Sequence, residues 1–165
     1  MKILGVDPSL RSTGFGLIEA QGSQMTALGH GQIENPAKLL PSRCLVRISD
    51  ELTGVIQKHQ PDVMAIEGLV YVQNTKIAFT LGQARGVAIA AAAAHGLEIY
   101  EYAPRKVKQA VTGLGAAGKT QVAQMVKALL GLKELPPADA ADALALAICH
   151  AQNCRGIQIS PPKPI

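Results

Sequence analysis

Short apolar runs and longer segments of helical periodicity alternate along the chain. Residues 1–34 contain apolar runs separated by turn-forming residues, which predicts three strands, the third weakly patterned and at a sheet edge. Apolar residues then recur every three or four positions over residues 41–60, which predicts a helix ending at Pro61. Residues 63–66 are again apolar. Because a helix separates this run from the first strand, we expect the two strands to be parallel.

The second half of the chain predicts one more strand among several helices. Residues 75–95 form an Ala-rich segment of helical length, in which Gly82 and Gly86 favour close packing on the sheet, a dimer face being the alternative. Residues 97–102 predict a fifth strand. Three further helices are predicted at residues 104–111, 119–130 and 138–153.

Composition places the chain among globular proteins. Its 165 residues are 48% hydrophobic and 17% charged, which is enough for one domain over residues 1–155, followed by a Pro-rich tail, 156–165, that we expect to be disordered. No apolar run approaches the roughly 18 residues of a membrane span, and the start lacks a signal-peptide pattern. These features predict a cytoplasmic protein without a membrane partner.

The three cysteines lack a CxxC spacing, which favours reduced thiols. Cys149, His150 and Cys154 could supply ligands to zinc, but the sequence offers no evident fourth ligand.

Positive charge is concentrated in the second half of the chain. The net charge is +4, and residues 103–133 contain no Asp or Glu. The basic residues there are Arg105, Lys106, Lys108, Lys119, Lys127 and Lys133. Such a block favours a polyanionic partner, the alternative being a solvated helical face.

Four of the twelve carboxylates stand in positions that favour a shared site. Asp7 and Glu67 close apolar runs that predict parallel strands, and Asp139 and Asp142 lie three apart on one face of the last helix. Asp7 could instead begin a turn, and Asp139 could be a first-turn acid favoured by the helix dipole. Four acids packed together repel or take up protons unless a cation is present.

Oxygen ligands of this kind suit Mg²⁺. With two ions, one prepares water as the nucleophile and the other stabilises the leaving 3′ oxygen. An acidic cluster beside a basic block therefore predicts a nuclease.

Residues 113–120, GLGAAGKT, match the phosphate-loop pattern GxxxxGK[ST]. That motif requires a strand leading into the loop and a helix leaving it. The preceding residues here are patterned as a helix. Nucleotide hydrolysis is therefore disfavoured, and we interpret the segment as a flexible basic turn in which Lys119 begins a helix near a polyanion.

Four motifs together resemble the RuvC family of bacterial Holliday-junction resolvases, over a region from Met1 to about Arg155. They are GVDPS at 5–9, AIE at 65–67, LGQARG at 81–86 and DAADAL at 139–144. The resemblance implies an α/β, ribonuclease-H-like fold with a five-stranded mixed sheet, the first three strands antiparallel, flanked by helices. It also implies a homodimer that uses Mg²⁺ or Mn²⁺, two ions per subunit with DNA bound, to nick two opposed strands of a four-way junction. A RuvA–RuvB branch-migration complex would be a further partner.

The resemblance also assigns residues to roles. Catalysis and metal binding are expected of Asp7, Glu67, Asp139 and Asp142, with Lys119 contacting the scissile region. The expected DNA-binding residues are Lys108, Lys119, Arg105, Lys106, Arg85 and Tyr71. Tyr71 stands one position away from the place where the family often has an aromatic residue that stacks on junction bases, so stacking by Tyr71 is a hypothesis.

Three alternatives stay open at this point. One is another ribonuclease-H-like nuclease, acting on RNA–DNA hybrids or on ribosomal RNA. Another is a binding module without catalysis, which would have no need of four acids. A sugar-kinase or actin-like nucleotide fold shares the Gly-x-Asp-x-Ser opening but needs a second domain.

Overall fold

The computed structural model describes residues 1–68, 74–154 and 164–165. The strands are β1 (Lys2–Asp7), β2 (Ser12–Gln21), β3 (Gln24–Glu34), β4 (Val63–Glu67) and β5 (Glu98–Tyr102). The helices are α1 (Pro41–His59), α2 (Thr75–Ala94), α3 (Pro104–Thr112), α4 (Lys119–Leu130) and α5 (Ala138–Asn153). Each predicted element is present within a few residues of its predicted bounds.

The five strands form one mixed sheet in the order β3-β2-β1-β4-β5. β1, β2 and β3 pair antiparallel, whereas β4 is parallel to both β1 and β5. The predicted fold class, including the edge position of the third strand, is therefore confirmed. Val6 pairs with Ile66, so the next residues, Asp7 and Glu67, end neighbouring strands at the same edge of the sheet.

Helices cover both faces of the sheet. One core cluster joins α3, α4 and α5 to the sheet, and the other joins α1 and α2 to the opposite face. α5 lies directly on the strands, since Cβ atoms at Gly5 and Gly14 would overlap the carbonyl oxygens of Ala143 and Asp139. Glycine at these two positions therefore sets how closely the acidic helix approaches β1, which ends in Asp7, and β2 beside it.

α2 packs on the protein in a different way from the one predicted. A Cβ atom at Gly82 or Gly86 would have no neighbour within 4 Å, so these glycines do not form the contact with the sheet. The buried side of the helix is formed by Ala84, Arg85, Ala88, Ala91 and Ala92. Ile77 and Phe79 are exposed by 56% and 75%, which leaves an apolar surface near the helix start.

Among the described helices, α2 is also the one long and apolar enough to cross a membrane. Core helices of soluble proteins pass the same test, so a single such helix is weak evidence for a span.

The predicted tail, 156–165, lies outside the described residues except for its last two. Pro164 bridges to Tyr100, and the Ile165 N–H donates to the Ile99 carbonyl at 2.9 Å, beside β5.

Candidate active site

A cavity of ≈ 350 Å³ opens where β1 and β4 end. Three carboxylates and two lysines line it together with apolar residues of α3, α4 and α5. The lining residues are Asp7, Glu67, Pro104, Val107, Lys108, Lys119, Val122, Asp142, Ala145 and Leu146. The structure thus places three of the four predicted acids and two of the predicted basic residues at one cavity.

Asp7 is the most perturbed of these carboxylates. Burial, and after it the negative charges of Glu67, Asp142 and Asp139, together raise its pKa from 3.8 to about 7, with Lys119 acting in the opposite direction. Asp7 ends a strand whose preceding four residues are buried, so its carboxyl group emerges from the core with little access to water. It therefore exchanges a proton near neutral pH in the absence of a cation.

Glu67 occupies the equivalent position on β4. Burial and the charge of Asp142 raise its pKa, and Lys119 and Lys108 lower it. Its backbone carbonyl accepts a hydrogen bond from Arg85 Nη1 at 2.5 Å. This hydrogen bond fixes the end of β4, the strand that carries the Glu67 carboxylate.

Asp142 and Lys119 form an ion pair at the mouth of the cavity. Their Nζ–Oδ2 distance is 3.3 Å, with the side chains 77% (Lys119) and 29% (Asp142) exposed. The charge of Asp142 raises the pKa of Lys119, which stays a cation at neutral pH. The segment that matches the phosphate-loop pattern follows helix α3 and not a strand, as expected, and Lys119 is the first residue of α4.

Asp139 lies near the other acids but does not line the cavity. Its Oδ2 accepts hydrogen bonds from Ser12 Oγ and, at 2.9 Å, from Gln32 Nε2. Its charge still contributes to the raised pKa of Asp7. Asp139 is thus a neighbour of the acidic cavity, held from the side by two donors of the antiparallel strands.

The predicted DNA-binding residues divide into three groups. Lys108 and Lys119 line the cavity, and Arg105 and Lys106 are exposed on α3 beside it. Arg85 is 6% exposed and pairs with Glu101, so its guanidinium faces the protein and not solvent. Tyr71 lies outside the described residues.

We expect the buried hydrogen bonds of Arg85 to stabilise the folded protein. Arg85→Met keeps much of the side-chain volume but removes the donors to Glu67 and Glu101. We expect a loss of about 1–3 kcal/mol in the free energy of unfolding, measured by urea denaturation, because a buried carbonyl loses its partner. Lys76→Met, at an exposed position of the same helix, is the control. Weaker junction binding at unchanged stability would instead support the predicted DNA contact.

The composition of the cavity suits a hard divalent cation. Its potential ligands are carboxylate oxygens, and no His, Cys or Met of the described residues lines it. Within the described residues, no three Asp, Glu, His or Cys side chains are grouped so that together they could hold a metal ion. Mg²⁺ does not require such a group, since it usually keeps several waters and takes one or two carboxylates plus substrate phosphates. Burial, and after it the neighbouring negative charges, raise the pKa of Asp7, and such a cation would offset both effects.

Sequence reasoning missed Ser12, Gln32 and Glu101. Glu101 carried a weak signal, as a charged residue between two tyrosines in a predicted strand. Ser12 and Gln32 carried none, because polar residues at strand ends and on edge strands are common.

A mixed sheet with acidic residues at the ends of adjacent parallel strands, and another acid on a helix packed over it, defines the class of ribonuclease-H-like nucleases. Residues 3–150 match the family model described as crossover junction endodeoxyribonuclease RuvC, and this chain belongs to that family. Family membership confirms the predicted enzyme class.

Individual relatives agree with this assignment. The crossover junction endodeoxyribonuclease RuvC of Caldicellulosiruptor saccharolyticus is 49% identical over 152 residues, covering 91% of this chain and 92% of the relative. That of Nitrosomonas eutropha is 50% identical over 157 residues, covering 95% and 88%. The structure of Thermus thermophilus RuvC in complex with a Holliday junction substrate has a TM-score of 0.92 and 32% identity, covering 100% of this chain and 99% of that one.

Proposed function

We propose that this chain resolves Holliday junctions by Mg²⁺-dependent nicking of two opposed strands, leaving 5′-phosphate and 3′-hydroxyl ends. The observation that carries the proposal is the single cavity shared by Asp7, Glu67, Asp142, Lys108 and Lys119. The similarity to a RuvC structure holding a Holliday junction supports the choice of substrate.

In this proposal the acids hold the cation and the lysines hold the DNA. Asp7, Glu67 and Asp142 are the candidate ligands that face the cavity, and Asp139 is the fourth candidate beside them. Each ion would take one or two of these carboxylates together with substrate phosphate. The chemistry that Mg²⁺ supplies at such a site is Lewis-acid stabilisation of negative charge on the phosphate and on the attacking and leaving oxygens.

The protein's own side chains contribute deprotonation of a ligand, positive charge near the phosphate and exclusion of water. Asp7 must release its proton before its carboxylate can serve as a ligand, since its pKa is raised to about 7. Lys119, kept cationic beside Asp142, places positive charge near the scissile phosphate. Val107, Val122 and Leu146 give the cavity apolar walls that limit water around the reacting groups.

A substitution of Lys108 tests whether the lysines at the cavity bind the DNA phosphates. Lys108→Ala is expected to weaken junction binding and to reduce the slope of log K against log salt by about 0.9, the amount for one lost phosphate contact. Fluorescence anisotropy over a salt series measures both quantities. Lys58→Ala is the control, because α1 ends at the opposite edge of the sheet, where the His59 carbonyl accepts from Lys2 Nζ at 3.1 Å. An unchanged slope for Lys108→Ala would remove this residue from the DNA surface.

We extend the proposal to a homodimer, since symmetric nicking requires two equivalent sites. The exposed Phe79, which lies on the same side of the helix as the open surface at Gly82 and Gly86, supports α2 as the face that a second copy covers. Sedimentation is expected to give a dimer for the wild type and a monomer for Phe79→Asp. Leu135→Asp, exposed in the loop before α5, should remain dimeric. A monomeric wild type at working concentration would contradict the proposal. Binding to RuvA–RuvB and a cytoplasmic location stay predictions.

The decisive experiment compares two substrates. A synthetic mobile four-way junction and a linear RNA–DNA hybrid are incubated with the protein, with and without Mg²⁺. Paired nicks near the crossover that require Mg²⁺ are expected, with the hybrid left intact. Cleavage of the hybrid would favour the alternative ribonuclease-H-like activity, and junction binding without cleavage would favour a non-catalytic module.

A further inference from the structure

Asp139 is held by two side chains from distant parts of the chain. Ser12 lies at the start of β2 and Gln32 near the end of β3, and both donate to the same atom, Oδ2. No hydrogen bond among the described residues ends on the other oxygen, Oδ1. The carboxylate is therefore tied through one oxygen, with the second left open.

The sheet register explains how the two donors meet. Ser12 pairs with Glu34 and Gly14 with Gln32, so Ser12 and Gln32 are diagonal neighbours two residues apart in register. Diagonal neighbours in an antiparallel pair lie about 7–8 Å apart, close enough for their side chains to reach one acceptor. Gly14 lies under the first turn of α5, where a Cβ atom would overlap the Asp139 carbonyl. The helix thus rests directly on the strand beside the two donors.

Two side-chain donors on one carboxylate oxygen are the kind of contact that orients a metal-binding carboxylate. Carboxylates that bind metals are themselves hydrogen-bonded by neighbouring groups, which fix their orientation before the ion arrives. Two donors on Oδ2 restrict rotation of the carboxylate, and no donor among the described residues occupies Oδ1. A tether that only joined α5 to the sheet would not require both donors to share one oxygen.

We propose that Ser12 and Gln32 are positioning residues for Asp139, orienting its free oxygen for a cation bound at the acidic site that Asp7, Glu67 and Asp142 line. This inference rests on the proposed function, because it requires that Asp139 is a ligand. It assigns to these two residues a role exercised through Asp139.

The test measures Mn²⁺ binding to the DNA-free protein by calorimetry. Ser12→Ala and Gln32→Met each remove one donor with little change of volume, and each is expected to weaken Mn²⁺ binding by about tenfold. Ser12→Thr keeps the hydroxyl and is expected to retain most of the affinity. Ser23→Ala and Gln24→Met make the same two changes at exposed positions around the β2–β3 turn, and these variants should bind Mn²⁺ as the wild type does.

A double-mutant cycle separates positioning from a purely structural role. Once Asp139→Asn has removed the ligand, adding Ser12→Ala or Gln32→Met should cause no further loss of affinity. Thermal unfolding of each variant confirms that the folded protein is being compared.

The possible failures are distinguishable. If the wild type binds no Mn²⁺, or if Asp139→Asn binds it equally well, the proposed ligand role of Asp139 fails and the inference fails with it. If Asp139→Asn weakens binding while Ser12→Ala and Gln32→Met do not, the positioning role alone is overturned. The positioning role is also overturned if Ser12→Ala and Gln32→Met weaken Mn²⁺ binding as much in the Asp139→Asn background as in the wild type.

Discussion

Asp7→Asn is expected to abolish junction cleavage while leaving junction binding intact. Asp7 senses the charges of Glu67, Asp142 and Asp139 together, which identifies it as the central acid of the group. Asparagine keeps the size of the side chain but removes the charge that would hold the cation. A bound cation contributes several kcal/mol of transition-state stabilisation, so the cleavage rate should fall by about 10³-fold or more. Binding should persist because the substitution removes no positive charge from the DNA surface.

Two measurements check this prediction on the same protein samples. Nicking of a labelled four-way junction in Mg²⁺ gives the rate, and anisotropy gives the affinity. Calorimetry with Mn²⁺ on the wild type and on Asp7→Asn then relates the loss of rate to loss of the ion. Asp50→Asn makes the same chemical change at an exposed position of α1 and should cut normally. Retained cutting by Asp7→Asn would refute the catalytic role assigned to Asp7.

The fold could be predicted from the sequence because, in most of its helices and strands, the spacing of apolar residues indicates which side is buried. α1 is an example, with Cys44, Ile48, Leu52 and Ile56 buried at regular spacing. α2 shows where this reasoning fails. Alanine and glycine occur around the whole helix, so the sequence did not indicate which side packs on the protein. The buried side includes Arg85, a residue that composition alone would place at the surface.

The candidate site was predictable to the extent that topology determines it. Asp7 and Glu67 could be placed together because each closes an apolar run and the two strands were expected to be parallel. The pairing of Arg85 with Glu101 could not be predicted, because Glu101 lies on β5 and the contact depends on how α2 is rotated. The position of Asp139 depends on Ser12 and Gln32, which become neighbours only through the β2–β3 register. Local sequence carries no trace of that contact.

The same buried carboxylate that is proposed to serve catalysis is expected to destabilise the protein at alkaline pH without a cation. The pKa of Asp7 is 3.8 as its ordinary value and about 7 in the folded protein. Between these values the folded protein retains a proton that the unfolded chain has lost. The free energy of unfolding therefore falls as the pH rises through this window, by about 1.4 kcal/mol per pH unit and at most about 4 kcal/mol in total.

Asp7→Asn removes this titration, so the variant should be more stable than the wild type at pH 8 in EDTA, and the difference should shrink as the pH approaches 4. Urea denaturation at pH 4, 6 and 8 measures it. Mg²⁺ at pH 8 should raise the stability of the wild type more than that of Asp7→Asn, since binding to the folded state is what stabilises it. Asp50→Asn should follow the wild type under all three conditions. An Asp7→Asn protein that is less stable than the wild type at pH 8 would mean that the ionised carboxylate is already compensated by the fold, and the cavity would then have no electrostatic need for a cation.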